Sequence, residues 1–148
     1  MRITAQQIER FLVSVNDLFP VPLSQKQDLG ALSQKFYDKA TLLCELDGDV
    51  IIAMVAGYTE NVVDNIGYIS VVATLPSAQG KGYASSLVRR FLTQAEQKGL
   101  CAVHLYTDAT NLGAIRMYEK IGFVRYNVAD EPRPEDIHLI YNFTEEKK

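Results

Sequence analysis

The residues whose types and spacing point most directly to chemistry form a glycine-rich segment, Gln79-Gly80-Lys81-Gly82-Tyr83-Ala84. It separates a β-branched apolar run that ends at Thr74 from a segment with the apolar spacing of a helix. Glycines let the backbone approach an anion closely, and the start of a helix offers free N–H groups and a favourable dipole. The segment therefore predicts a loop that binds a diphosphate group. The alternative is a tight strand-to-helix turn without a ligand.

Two common diphosphate motifs do not fit this segment. A nucleotide P-loop requires Ser or Thr after its lysine, whereas Lys81 is followed by Gly82. A dinucleotide fingerprint requires a third glycine where Ser85 stands, and it usually opens a fold rather than lying in its middle. The loop is therefore predicted to hold a different diphosphate ligand.

A second constellation lies downstream, on a predicted helix. Tyr118 shares a helix face with Ala114 and Ile121, the face that turns toward the sheet. Its hydroxyl is a candidate proton donor, and the alternative is a core tyrosine that hydrogen-bonds elsewhere. Asn111 is placed to cap the same helix. The whole pattern reads Asn111-x-x-Ala114-x-x-x-Tyr118-x-x-x-Gly122-Phe123.

Hydrophobic periodicity predicts the elements that must position these residues. The predicted helices are 4–18, 25–38 with Ser24 as cap, a third from Ala84 that stops at Gly99, and 112–121. The predicted strands are 40–46, 50–58, 66–74, 102–107, 123–128 and 137–143. This order indicates a mixed α/β or α+β domain with at least one βαβ crossover. Residues 144–148 are expected to fray.

The two constellations together resemble the hallmarks of the GNAT superfamily of acyl-CoA-dependent N-acetyltransferases. Gln79-x-x-Gly82-x-Ala84 is similar to the Gln/Arg-x-x-Gly-x-Gly/Ala signature of that family, and Pro76 precedes it as in the family's lead-in. The block that begins at Asn111 resembles the second hallmark, at the expected distance and after a strand.

The resemblance covers about residues 40–143 and implies a fold. We expect one N-acetyltransferase domain over residues 1–148, with a central mixed, mostly antiparallel sheet of about six to seven strands flanked by about four helices.

The resemblance also implies roles for individual residues. Tyr118 would protonate the coenzyme A sulfur, and a main-chain N–H near Val72 would stabilise the oxyanion. The residues implied in coenzyme binding are Val72, Thr74, Gln79, Gly80, Lys81, Gly82, Tyr83, Ala84 and Asn111. Acetyl-CoA is the implied cosubstrate, and no metal is implied.

The general base is not determined by the sequence. Many relatives carry a carboxylate on the strand before the glycine loop, but 67–72 has none, and Tyr68 stands about where a glutamate serves in some members. A site that simply binds the neutral amine is a further option. His104 is interpreted as a partly buried strand residue rather than a base. The remaining candidates are Glu60, Asp64, Asp130, Glu131, Glu135, Asp136, or a water relayed through Tyr68 or Ser70.

Composition narrows the function class. A net charge of −3 argues weakly against nucleic acid as a partner. Residues 1–10 lack a signal-peptide core, and the apolar run 50–56 is too short to span a membrane, so we expect a cytoplasmic protein. Cys44 and Cys101 are interpreted as small buried hydrophobic residues. His104 and His138 are interpreted as isolated, which leaves no metal-ligand spacing.

The sequence thus predicts acetyl transfer from acetyl-CoA to a primary amine of a small molecule, by direct transfer through a ternary complex. Two alternatives stay open: a protein N-terminal or lysine acetyltransferase, and an acyl-CoA-binding module without turnover. The acceptor, the acyl-chain preference and the choice between monomer and homodimer are also left open.

Overall fold

A computed structural model describes residues 2–143 and contains four α-helices and six strands. The fifth strand is short, because the chain leaves the sheet after it. The helices are α1 (Ala5–Val15), α2 (Leu29–Lys39), α3 (Tyr83–Gln97) and α4 (Leu112–Ile121). The strands are β1 (Thr41–Asp47), β2 (Val50–Tyr58), β3 (Ile66–Thr74), β4 (Ala102–Asp108), β5 (Val124–Arg125) and β6 (Asp136–Asn142). The predicted α/β class is confirmed. The expected fraying of 144–148 concerns residues outside those described.

The strands form one sheet in the order β1-β2-β3-β4-β6-β5. Among the strands of residues 2–143, only β3 and β4 pair in parallel, and α3 supplies the crossover that a parallel pair requires. Their pairing ends at Ile69 and Leu105, although β3 continues to Thr74 and β4 to Asp108. A bulge at Ser70 shifts the β2–β3 register at the same level. The two parallel strands therefore separate toward their carboxyl ends.

The two faces of the sheet are covered differently. Helices α3 and α4 pack on one face, in a core that includes Phe91, Leu105 and Tyr118. Helices α1 and α2 pack on the other face, around Phe36 and Met54. They contact β1 and β2, whereas the β4–β6 part of this face is covered by the segment between β5 and β6.

In the N-terminal part of the chain, two predicted helix boundaries differ from the structure: the start of α2 and the end of α1. Asp28, not Ser24, caps α2, because its carboxylate accepts a hydrogen bond from the Ala31 N–H at 2.8 Å. Ser24 instead binds the side chain of Asn16 and lies in a short 3₁₀ turn. Helix α1 ends at Val15, and a 3₁₀ turn continues it.

The predicted strand 123–128 is wrong in length, because β5 is only Val124–Arg125. Tyr126 still donates a backbone hydrogen bond to His138 at 2.9 Å, and the chain then leaves the sheet. It does so to cover the polar aromatic side chains on the β4–β6 face. None of the helices in residues 2–143 has the length and apolar character needed to cross a membrane.

Candidate active site

A cleft of about 1340 Å³ opens where β3 and β4 separate. On one face of the sheet it is lined by the start of α3 and by α4, and on the other by residues from the α1–α2 connection and by Arg133, Glu135 and Asp136. The cleft therefore passes through the sheet from one face to the other. Two reactants that enter from opposite faces can meet between the strands.

The glycine segment forms the cleft wall on the α3 side. Gly80 and Gly82 have φ values of +80° and +84°, in the left-handed region that favours glycine. Gly82 is the N-cap of α3, and no side chain caps the helix there. The N–H groups of the first turn therefore lack partners within the helix, and the residues of that turn, Tyr83, Ala84 and Ser85, line the cleft. Gln79 steadies the loop by donating from Nε2 to the Thr74 carbonyl at 3.2 Å.

Nearly all of the sequence-predicted site residues lie along this cleft. Lys81 is the exception, because its side chain is exposed and lies outside the lining. The predicted residues that line the cleft are Val72, Thr74, Gln79, Gly80, Gly82, Tyr83, Ala84, Asn111 and Tyr118.

Tyr118 is buried in the core under α4 but also lines the cleft. Its ring packs against Phe123 with centroids 5.5 Å apart, and Ala114 and Ile121 share its helix face, as predicted. Its hydroxyl makes no hydrogen bond within residues 2–143. Burial raises the pKa of Tyr118 above its ordinary value, so the hydroxyl keeps its proton at neutral pH.

Asn111 lies at the cleft and caps α4 at the same time. Its Oδ1 accepts a hydrogen bond from the Ala114 N–H at 3.3 Å. The amide nitrogen of Asn111 is left without a hydrogen bond in the described part of the chain, so it is available to a ligand.

Replacement of Asn111 by serine separates these two roles. A serine hydroxyl also caps a helix, so we expect the melting temperature to change little, whereas Asn111→Ala should cost about 1 kcal/mol of stability. If the amide nitrogen binds the coenzyme, Asn111→Ser should weaken acetyl-CoA binding several-fold, about 1 kcal/mol. Calorimetric titration with acetyl-CoA measures this, and unchanged affinity in Asn111→Ser would leave capping as the residue's only role.

On the opposite face, the cleft is bordered by aromatic and charged side chains. Tyr68 on β3 and Tyr106 on β4 line it, and the Arg133 guanidinium stacks over the Tyr106 ring at 4.5 Å. Arg133 is also paired with Asp136, with Nη2 and Oδ2 2.6 Å apart. Glu135 lines the cleft, is exposed, and makes no hydrogen bond or ion pair with other described residues.

The two histidines are not isolated, contrary to the sequence-based interpretation. His104 Nδ1 and His138 Nε2 are 2.7 Å apart, and His138 Nδ1 is 2.7 Å from Glu131 Oε1. Tyr106 donates its hydroxyl to Glu131 Oε2 at 2.6 Å. The two histidines and Tyr106 meet because β4 and β6 pair with Tyr106 opposite His138. This register places residues 104, 106 and 138 on one face of the sheet. This group is named the histidine chain: Tyr106, Glu131, His138 and His104.

The model of the Acetyltransferase (GNAT) family matches residues 9–123, a range that contains both the glycine loop and the Asn111–Phe123 block. The chain belongs to this family. The resemblance proposed from the sequence is thereby confirmed.

Comparison with individual solved acetyltransferase structures supports the same fold. The acetyltransferase of the GNAT family from Staphylococcus aureus Mu50 superimposes with a TM-score of 0.74 at 11% identity, over 93% of this chain and 92% of its own. The paiA N-acetyltransferase from Thermoplasma acidophilum, solved in complex with coenzyme A, gives a TM-score of 0.70 at 11% identity, over 97% of both chains.

A closer sequence match is a mycothiol acetyltransferase of Thermomonospora curvata, which is 40% identical over 99 residues. The aligned region is 65% of this chain but only 32% of that protein. The chain therefore matches about a third of the relative's length.

The candidate bases of this GNAT chain lie at different distances from the cleft. Glu135, Asp136, Tyr68 and Ser70 line it, whereas Glu131 lies one hydrogen bond behind Tyr106. The other three candidate carboxylates, Glu60, Asp64 and Asp130, lie outside the lining of the cleft. Glu60 forms an ion pair with Lys98 at 3.3 Å.

Neither cysteine contributes to the cleft. Cys44 and Cys101 are free and half-buried, and burial raises the pKa of Cys44 to about 11. Within residues 2–143, no group of three or more His, Cys, Asp or Glu side chains is placed to hold a metal ion. A covalent thiolate intermediate therefore has no cysteine at the cleft to form it.

Sequence reasoning missed the histidine chain and the α1–α2 connection as parts of this region. The alternation of His104 and Tyr106 along β4 places both on one face and was the available signal. The contribution of His138 depends on β4–β6 pairing between segments 34 residues apart, which no local pattern indicates.

Proposed function

We propose that this protein transfers an acetyl group from acetyl-CoA to a primary amine of a small molecule, directly and within a ternary complex. The observation that carries the proposal is the cleft that passes through the sheet. It has the glycine loop at one end and the walls of Tyr68, Tyr106 and Glu135 at the other.

Acetyl-CoA is proposed to occupy the α3–α4 end of the cleft. The uncapped N-terminus of α3 offers main-chain N–H groups from Gly80 to Ala84 to the pyrophosphate, and Lys81 can contribute its N–H although its side chain lies elsewhere. The unpaired edge of β3 at Val72 and Thr74 offers main-chain groups to the pantetheine arm. The Thermoplasma acidophilum protein with this fold, solved with coenzyme A, supports this occupant.

Acyl transfer from a thioester to an amine needs a neutral amine, a donor to the oxyanion and a proton for the departing thiolate. Tyr118 is proposed to give its proton to the coenzyme A sulfur. Its hydroxyl has no other partner in the described chain, and its raised pKa keeps it protonated until the thiolate forms. A main-chain N–H near Val72 is proposed as the oxyanion donor.

The opposite end of the cleft is proposed to hold the amine. The segment 18–23 and the segment 133–136 border it from two sides, which favours a small acceptor over an extended peptide. The carboxylate of Glu135, which has no partner among residues 2–143, suits a cationic ammonium group. The relative from Thermomonospora curvata is named after a small molecule, mycothiol, which supports the same class.

Acetyl-CoA is predicted to raise the melting temperature in a concentration-dependent manner. A ligand that binds only the folded state stabilises it by mass action, about 2.7 kcal/mol at a hundredfold excess over Kd. ATP and NAD should stabilise the protein far less, since the loop lacks the P-loop serine or threonine and the third glycine of the dinucleotide motif. A thermal-shift series with the three ligands at equal concentration checks this, and equal stabilisation by ATP or NAD would contradict it.

The acceptor class is tested by thiol release from acetyl-CoA with a panel of amines. The panel contains glucosamine, spermidine, free lysine, a peptide with a free N-terminus and an N-blocked peptide with an internal lysine. The proposal expects at least one small amine to accelerate thiol release far more than either peptide. Faster release with a peptide would favour the protein acetyltransferase. Acetyl-CoA binding without amine-dependent release would favour the binding module.

A further inference from the structure

We propose that His104 is the terminal acceptor of the proton that the amine loses, through one bridging water, and that His138 and Glu131 are positioning residues that orient it. This inference rests on the proposed function. It assigns the base of the reaction to an imidazole, although the strand before the glycine loop carries no carboxylate.

The hydrogen bonds of the histidine chain determine where its protons lie. The Tyr106 hydroxyl and the Arg133 main-chain N–H both donate to Glu131 Oε2, and these bonds, the one from Tyr106 most, lower the pKa of Glu131. An ionised carboxylate only accepts, so His138 must carry its proton on Nδ1 and donate it to Glu131. In the tautomer of His138 that carries its proton on Nδ1, Nε2 accepts from His104 Nδ1–H. Among residues 2–143, His104 Nε2 is the one imidazole nitrogen of the histidine chain without a hydrogen-bond partner.

The location of His104 brings its ring close to the cleft. Tyr68 and Tyr106, which both line the cleft, have ring centroids 5.1 and 6.2 Å from the His104 ring. His104 is half-buried and lies one layer behind them on the face where the amine is proposed to bind. A single bridging water molecule is the proposed path for the proton between the cleft and His104 Nε2.

The surroundings of His104 favour its neutral form in the resting protein. The titratable and charged groups around it are Tyr68 from β3, Tyr106 from β4, His138 from β6, and Tyr126, Glu131 and Arg133 from the segment between β5 and β6. The charge of Arg133 is paired with Asp136. Burial and the neighbouring His138 lower the pKa of His104, while the Glu131 carboxylate opposes them. His104 is therefore a free base at neutral pH, and the Glu131 carboxylate stabilises its protonated form.

The protons of the reaction balance with this assignment. The bound ammonium has three N–H hydrogens and the amide product has one, so two protons leave the nitrogen. The first passes through water to His104 Nε2 before the nitrogen attacks the thioester carbon, and His104 later releases it to solvent. The C–S bond breaks as the tetrahedral intermediate collapses, and the thiolate takes the Tyr118 proton. The second proton from the nitrogen then restores Tyr118.

The test is the pH dependence of kcat/KM for the panel amine with the fastest thiol release, in wild type and in His104→Asn. The asparagine amide can occupy the place of Nδ1 and keep the hydrogen bond to His138, so the fold should survive. In wild type, kcat/KM should rise as His104 loses its proton and then level off. In His104→Asn only the free amine reacts, so kcat/KM should rise about tenfold per pH unit up to the amine's own pKa. At pH 7 the loss should be about 10²-fold.

A second variant and a direct titration keep the inference falsifiable. Because the Glu131 carboxylate raises the pKa of His104, Glu131→Gln should move the acidic limb to lower pH. The chain has only two histidines, so His104→Asn assigns both imidazole signals in an NMR titration. In wild type, the NMR signal of His104 should titrate over the same pH range as the acidic limb of the kcat/KM profile. In Glu131→Gln, both should shift to lower pH.

The possible failures can be told apart. A folded His104→Asn variant with the wild-type plateau would overturn the assignment of His104 while leaving the proposed function intact. An unmoved limb and an unmoved His104 signal in Glu131→Gln would overturn the positioning role of the carboxylate. No amine-dependent thiol release in wild type would refute the proposed function, and this inference with it.

Discussion

Replacement of Tyr118 by phenylalanine is expected to lower the turnover number about 10²- to 10⁴-fold, while the affinity for acetyl-CoA changes little. The substitution removes only the hydroxyl, which makes no hydrogen bond within residues 2–143, so the core under α4 should keep its packing. The effect is concentrated in turnover, because the hydroxyl acts when the thiolate departs.

A matched control is available in the same aromatic cluster. Tyr118 and Tyr141 both pack against Phe123, with centroid distances of 5.5 and 5.6 Å, but Tyr141 lies outside the cleft. Tyr141→Phe should therefore leave turnover unchanged. The measurement is turnover at saturating amine together with the melting temperature of the same preparation. Turnover of Tyr118→Phe near that of wild type, with chemistry rate-limiting, would remove Tyr118 from the mechanism.

Gly82→Val is expected to weaken acetyl-CoA binding at least tenfold, about 1.4 kcal/mol, with the fold retained. A Cβ at Gly82 meets no atom within 4 Å, so the protein itself has room for it. The φ of +84° is nevertheless unfavourable for a β-branched residue, at a cost of about 1–2 kcal/mol. The added side chain stands where the backbone is proposed to approach the pyrophosphate.

Gly99 provides the control for this backbone cost. It follows the other end of α3, has a φ of +87°, and a Cβ added there would also meet no atom within 4 Å. It lies outside the cleft. Gly99→Val should lower the melting temperature about as much as Gly82→Val but leave coenzyme affinity unchanged. Equal affinity of the two variants in calorimetric titration would show that the glycine loop is only a turn.

The glycine loop and Tyr118 could be predicted because their signals are local. Gly82 follows a β-branched strand and precedes a helix with strong apolar periodicity, and the conformation of a helix start depends mainly on neighbouring residues. Tyr118 lies on the apolar face of α4, and the same periodicity determines that face. Both therefore lie at the cleft as the sequence indicates.

The parts that could not be predicted depend on contacts between distant segments. The start of α2 depends on Asp28 rather than Ser24, and both residue types cap helices, so their order along the chain does not decide between them. The Ser24 N–H instead donates to the side chain of Asn16, which directly follows α1. The pairing of His104 with His138 requires the β4–β6 register and the return of Glu131 over the sheet.

The most direct test of acetyl transfer to a small amine is a product balance in a single reaction. Equimolar acetyl-CoA and the fastest amine of the panel are mixed with the protein, and released thiol and N-acetylated amine are both quantified by mass spectrometry, together with the mass of the intact protein. Direct transfer in a ternary complex predicts equal amounts of thiol and acetylated amine at every time point, with the protein unmodified. Thiol release that proceeds without acetylated amine, or an acetyl group that accumulates on the protein before it reaches the amine, would contradict it.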